Sequence, residues 1–178
     1  MTRRKFLRCA LGTSVAIALP QTSHALIKPN TVIKDLRLHN LHTEEKLSLS
    51  YFEQGGYIAE ALQNINHLLR DHRTGEVFAM DPVLIDLLYD LKNVLGTERP
   101  LQVISGYRSP KTNAALHNKS SGVATRSLHM QGKAIDIRIQ GIDAKDVRAA
   151  AISLARGGVG YYPSSNFVHI DTGRVRTW

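Results

Sequence analysis

From Lys133 to Ile139 the chain reads KAIDIRI. Isoleucines at 135, 137 and 139 alternate with Ala134, Asp136 and Arg138. Successive side chains of a strand point to opposite faces, so one face is apolar and the other polar. Such a strand fits a sheet that buries its isoleucines and turns Asp136 and Arg138 away from the core. Near the end of the chain NFVHIDTG repeats the plan: Val168 and Ile170 share one face, and Phe167, His169 and Asp171 the other.

The remaining segments supply partners for these strands. Lys34 to Leu41 and Lys46 to Phe52, joined by HTEE, read as a strand pair. LQVIS, Leu101 to Ser105, reads as a buried strand ending at Gly106, and GVGYY as a strand before a Pro163 to Asn166 turn. After Gly55-Gly56, the residues Ile58, Leu62, Ile65, Leu68 and Leu69 recur at helical spacing, predicting a helix that ends near Gly75. Asp81-Pro82 opens a second helix closed by Gly96, because Asp caps free N–H groups and Pro fits the first helical position. Ser109-Pro110 opens a third, through about Asn118, and Asp143 caps a fourth that runs to Arg156 before Gly157-Gly158. Strands at both ends with helices between them give an α+β fold, a mainly antiparallel sheet with flanking helices.

The first residues read as an export signal. MTRRKFLRCALGTSVAIALPQTSHA places Arg3, Arg4, Phe6 and Leu7 before an apolar run from Ala10 to Leu19, the order of a twin-arginine signal. That run is far short of the roughly 20 residues a membrane-spanning helix needs, so no stable membrane anchor is expected. Ser23-His24-Ala25 predicts cleavage after Ala25, giving a signal over 1–25, one domain over 26–178, and a periplasmic location reached through the twin-arginine export machinery.

Cleavage changes what the composition means. Cys9 is the only cysteine and leaves with the signal, so the mature chain forms no disulfide and any metal must be held by histidine and carboxylate. The signal also carries four of the 23 basic residues (Arg3, Arg4, Lys5, Arg8) and none of the 15 acidic ones, which lowers the net charge from +8 to +4. A modest excess without a Lys/Arg run or an aromatic ladder argues against nucleic acid and is better matched to an anionic envelope polymer.

Asp136 and His169 each lie on the polar face of a half-apolar strand, and pairing the two strands brings them to one spot. His129, just before a turn at Gly132, can fold back onto it. Two imidazoles and a carboxylate are a ligand set of catalytic zinc, with a further position open for water. A histidine in such a strand is otherwise a satisfied core residue, and the His129–Asp136 spacing alone is weak. His39, His42, His67, His72 and His117 have no ligand partner by spacing and read as surface or helix residues.

The pattern Ser127, His129, Gly132, Ala134 and Asp136, with SGYR at Ser105 to Arg108 and the terminal VHID, resembles the zinc peptidase group of D-Ala-D-Ala carboxypeptidases, lysostaphin-like enzymes and Hedgehog domains. NLHT, GGYI, LLG, SGYRS, GGVGYYP and NFVHIDTG are similar to murein endopeptidases of that group, over nearly the whole mature chain. The resemblance implies that His129, Asp136 and His169 hold one Zn2+. It also implies that peptidoglycan is the substrate, cut at diaminopimelate–diaminopimelate and D-Ala–diaminopimelate cross-links during cell wall growth or remodelling.

Arg108 is expected to hydrogen-bond a developing oxyanion or a substrate carboxylate. Ser127 is expected to contact substrate or a ligand, the alternative being a plain turn serine. Tyr107, with Tyr161 and Tyr162, is expected to line the cleft. Relatives in the group carry Glu or Asp three residues before the last ligand, or His two before it; here those positions are Asn166 and Phe167. Asp171 is then the available carboxylate, either as general base or as the residue that orients a ligand. Two other functions stay open: a zinc D,D-carboxypeptidase or dipeptidase that trims stem peptides, and a wall-binding module without catalysis. Histidine and carboxylate ligands also suit divalent ions other than zinc.

Overall fold

The structure, a computed structural model, describes residues 32–119 and 123–178; the expected signal over 1–25 lies outside the described residues. Eight strands form one sheet: β1 (Lys34–Asn40), β2 (Lys46–Glu53), β3 (Gly56–Tyr57), β4 (Leu101–Ser105), β5 (Ala134–Ile139), β6 (Gly158–Tyr162), β7 (Phe167–Asp171) and β8 (Arg176–Thr177). Their order is β3-β2-β1-β4-β5-β7-β6-β8. Every pairing is antiparallel except β1 with β4 and β6 with β8. The helices are α1 (Ala59–Leu68), α2 (Pro82–Val94), α3 (Pro110–Lys119) and α4 (Ala144–Ser153). The fold is therefore the α+β class that the strand and helix pattern predicts, and no described helix is long and apolar enough to cross a membrane.

One face of the sheet makes the core. Leu36 and Leu38 of β1, Leu101 and Val103 of β4, the isoleucines of β5, and Val168 and Ile170 of β7 are buried in one cluster with the apolar stripes of α1, α2 and α4. Asp81 caps α2 by accepting the Val83 N–H at 2.9 Å, and its other oxygen accepts the Thr172 hydroxyl at 3.0 Å. That second bond ties the start of α2 to the chain just after β7.

Three expectations need correction. The first helix ends at Leu68, well before Gly75. Asp71 stops it: the carboxylate accepts the Arg73 N–H, the Ser109 N–H and the Ser109 hydroxyl at 2.7–2.9 Å, and Gly75 serves the turn that follows, at φ +75°. The fourth helix ends at Ser153, three residues before Arg156, and Ala155 turns left-handed at φ 50°. Gly55-Gly56 is not a simple break: Gln54 and Gly55 make the turn of a hairpin, and Gly56 begins β3, which pairs with β2. Strand β8 was not expected at all.

Asp71 yields a stability prediction. Burial would raise its carboxyl, but the hydrogen bonds from Ser109 and the backbone outweigh burial and hold it well below the usual carboxylate range. A depressed folded pKa means the stabilisation is complete above the unfolded value, about 3.9, and fades as pH falls through the folded value. Asp71→Ala leaves the Ser109 and Arg73 donors without their acceptor and should cost about 2–3 kcal/mol at pH 7. Urea melts should show this difference narrowing steadily below about pH 4.

Candidate metal centre

Strand register brings two of the three expected ligands together. In the β5–β7 pair Asp136 lies directly opposite His169, and Ala134 opposite Asp171. On the other side of β5, a register shift between Val103 and Ser105 of β4 sets Ser105 against Asp136. His129 arrives on a 3-10 turn, Leu128–Gln131, capped by Ser127, whose hydroxyl accepts the His129 N–H at 3.3 Å. Gly132 ends that turn at φ +65°, where a Cβ would overlap the Ala79 carbonyl. The turn therefore packs tightly against the segment before α2 and points His129 back over β5.

The three ligand atoms lie within 4.8 Å of one another. His169 Nδ1 is 2.9 Å from Asp136 Oδ1, and His129 Nε2 is 3.2 Å from His169 Nδ1 and 3.3 Å from Asp136 Oδ1. The outward nitrogens fix the tautomers. His129 Nδ1 donates to the Gly106 carbonyl at 2.7 Å, because a carbonyl can only accept, and His169 Nε2 donates to Asp171 Oδ2 at 3.0 Å. In the neutral rings the inward nitrogens are then both lone pairs, facing each other and a carboxylate oxygen. Three acceptors with no proton among them suit a cation, so the residues fit a divalent metal. Burial would raise the Asp136 carboxyl, but His129 and His169, when protonated, hold it well below the usual range by charge and hydrogen bonding; with neutral rings that role would fall to the cation.

Asp171 is wholly buried and committed to partners. Its Oδ1 accepts from Gly158 N at 3.1 Å, Gly173 N at 2.8 Å and Arg176 Nη1 at 3.0 Å; its Oδ2 accepts from Arg176 Nη2 at 2.7 Å as well as from His169. Burial works against ionisation here, but His169, Arg176 and the two N–H groups hold the carboxyl well below its ordinary value. Arg176 in turn lies over the Trp178 ring at 4.8 Å, and the Trp178 indole N–H donates to the Tyr162 hydroxyl at 2.9 Å. Gly158 and Gly160 make room for this arrangement: a Cβ would strike the Arg176 guanidinium at the first and the Trp178 indole at the second.

The site opens into a cavity of about 380 Å³ lined by Arg108, Ser127, Arg176, Tyr162 and Trp178 beside the three ligands and Asp171. Arg108 is mostly buried; its Nη2 is 3.4 Å from the Ser105 hydroxyl and 3.8 Å from Asp136 Oδ2, and its Nε has no hydrogen-bond partner. Tyr107 departs from the expectation. Its N–H donates to the Leu69 carbonyl at 2.8 Å, which sets the ring on the helix side, where it is buried against Phe78 and its hydroxyl donates to Glu76. It does not line this cavity. Asn166, where relatives carry an acid, is exposed in a left-handed turn and also does not line it.

Sequence reasoning overlooked Arg126, Arg176 and Trp178, which all line the cavity. The legible signal was the alternation of Gly158 and Gly160 on one face of β6, since small residues spaced by two leave a slot for something large. The other histidines stay apart: His39 meets Glu44, His42 stacks on His72, and His117 meets the Val123 carbonyl. Among the described residues, His129, Asp136 and His169 form the one cluster that could hold a metal ion.

Asp171→Asn keeps the shape but weakens the grip on the His169 Nε2 proton. Metal affinity, read by competition with a chromophoric chelator, should fall about 10- to 100-fold with the far-ultraviolet spectrum unchanged.

Comparison with known proteins shows which family the chain belongs to. The family model described as "Peptidoglycan L,D-endopeptidase MepK" matches residues 28–178. The Escherichia coli K12 protein of that name is 47% identical over 99% of this chain and 96% of its own, and so is the one from Shigella flexneri. A "Probable peptidoglycan L,D-endopeptidase MepK" from Haemophilus influenzae is 43% identical over 99% of this chain and 95% of its own. With a family match across the whole described region and relatives 47% and 43% identical over nearly their full lengths, the chain belongs to the peptidoglycan L,D-endopeptidase MepK family.

Proposed function

We propose that this chain is a zinc-dependent endopeptidase that hydrolyses peptide cross-links of peptidoglycan, in the periplasm, after export by a cleaved twin-arginine signal. The observation that carries the reading is the trio of inward-facing acceptors, His129 Nε2, Asp136 Oδ1 and His169 Nδ1, at the base of an open cavity in a chain of this family. These residues would hold the ion, which supplies a Lewis acid for the scissile carbonyl and lowers the pKa of water toward neutrality.

The protein's own groups do the rest. The Gly106 carbonyl and Asp171 fix the tautomers of the neutral His129 and His169 rings, which leaves lone pairs on the inward nitrogens. Of the two roles open to Asp171, orienting His169 is the better supported, because both of its oxygens are engaged and it is wholly buried. Arg108 keeps a guanidinium in the cavity with Nε unpartnered and Nη2 only loosely held, and burial lowers its affinity for the proton. It is placed to stabilise an oxyanion or to bind a substrate carboxylate. Ser127 acts first as the cap of the turn that carries His129.

The test is product analysis on purified sacculi and on a soluble cross-linked muropeptide dimer, with a monomeric pentapeptide as the carboxypeptidase control. The dimer should be cut, with activity lost on chelation and restored by zinc. Cleavage of the pentapeptide alone would make the chain a carboxypeptidase, and wall binding without cleavage would make it a non-catalytic module. Arg108→Ala should retain the metal and lower kcat/KM on the dimer about 10²- to 10³-fold.

A further inference from the structure

The face of the sheet that bears the metal ligands continues past them as a row of polar side chains. Arg138 follows Asp136 by two residues on β5, so it projects to the same face. By register Arg138 pairs with Gln102 of β4, Gln102 with His39 of β1, and His39 with Lys46 of β2. Arg138 Nε donates to Gln102 Oε1 at 3.0 Å, which joins the first two members of the row. At its far end lies a second cavity, about 800 Å³, lined by Arg37, His39, Lys46, Arg99, Gln102 and Gln140.

The charge of this groove is one-sided. Arg37, Lys46 and Arg99 line it and Arg138 lies beside it, and no Asp or Glu is in the lining; like Arg73, Lys111 and Arg126 elsewhere, these four make no ion pair among the described residues. The facing acid is Glu44, engaged by His39 at 3.0 Å. Two of the guanidiniums are held in place by main-chain carbonyls: Arg37 donates to Glu98 at 3.2 Å and Arg99 to Gln140 at 2.6 Å. Each keeps further N–H groups for an acceptor in the groove, a preorganised arrangement for carboxylates.

We infer that this groove is a second binding site for the wall polymer, taking stem-peptide carboxylates of a neighbouring stem while the metal centre holds the cross-link. The inference rests on the endopeptidase reading. Three strand spacings of about 4.8 Å and an offset of two residues separate Asp136 from Lys46 by about 16 Å. Four extended residues reach about 14 Å at most, so Lys46, on the far side of the groove, lies beyond a four-residue stem held at the metal, while Gln102, on its near side, lies within one. Exposed charge pairs are individually weak, so the site would supply retention on an anionic polymer, not the chemistry.

The experiment compares wild type with Arg37→Glu/Lys46→Glu, with Arg37→Gln/Lys46→Gln, and with Lys145→Glu/Arg156→Glu, on α4 and just after it, as a charge-matched control. Thermal melts first establish that each variant is folded. Binding to intact sacculi at low salt should weaken about tenfold in the groove reversal, less in the neutral pair, and little in the control. Hydrolysis of sacculi should fall in parallel, while kcat/KM on the soluble dimer stays within twofold of wild type. If wild type cuts the dimer and the folded groove reversal binds and cuts sacculi as wild type does, the inference is overturned. Loss of dimer cleavage in that variant, or equal loss in the control, overturns it as well. Failure of wild type to cut the dimer sinks the endopeptidase reading instead.

Discussion

The site depends on one pairing: β5 lies antiparallel to β7 with Asp136 opposite His169. Slipping this register by one residue would turn one of the two strands over, putting Asp136 or His169 into the core and that strand's apolar residues outside it, so the same hydrophobic burial that stabilises the sheet also sets the two candidate ligands face to face. The isoleucines at 135, 137 and 139 and their partners Val168 and Ile170 are fully or almost fully buried, which makes the slipped register costly. His129 needs separate machinery, the turn capped by Ser127 and closed at Gly132, because it comes from outside either strand.

Around the ligands the protein has arranged acceptors inward and protons outward. Gly106 takes the proton side of His129, and Asp171 takes that of His169. Asp171 can do this while buried because Arg176 and two backbone N–H groups share its charge. Arg176 is in turn covered by Trp178, which rests where Gly160 has no side chain. A single buried carboxylate thus links the candidate ligand His169 to the aromatic wall of the cavity.

Much of this was legible in the sequence. Period-two alternation in KAIDIRI and NFVHID identified the strands and put Asp136, His169 and Asp171 on one face, as the structure has them. The Asp81-Pro82 start and the Asp143 cap were also readable, because caps are local chemistry. What was lost depends on distant partners. Helix α1 stops early because Asp71 binds Ser109, 38 residues away. Tyr107 turns to the helix side because its N–H meets Leu69, a contact no local pattern encodes. Strand β8 is two residues long, too short for any periodicity, so Arg176 and Trp178 went unseen.

The central claim is that His129, Asp136 and His169 together hold a zinc ion. Zinc K-edge X-ray absorption on protein purified without added metal tests it most directly, with metal content measured on the same sample. About one zinc per chain is expected, in a shell of two imidazole nitrogens and oxygen ligands, with an imidazole contribution that shrinks in His169→Ala. Zinc absent from the purified protein, or a shell unchanged in His169→Ala, would contradict it.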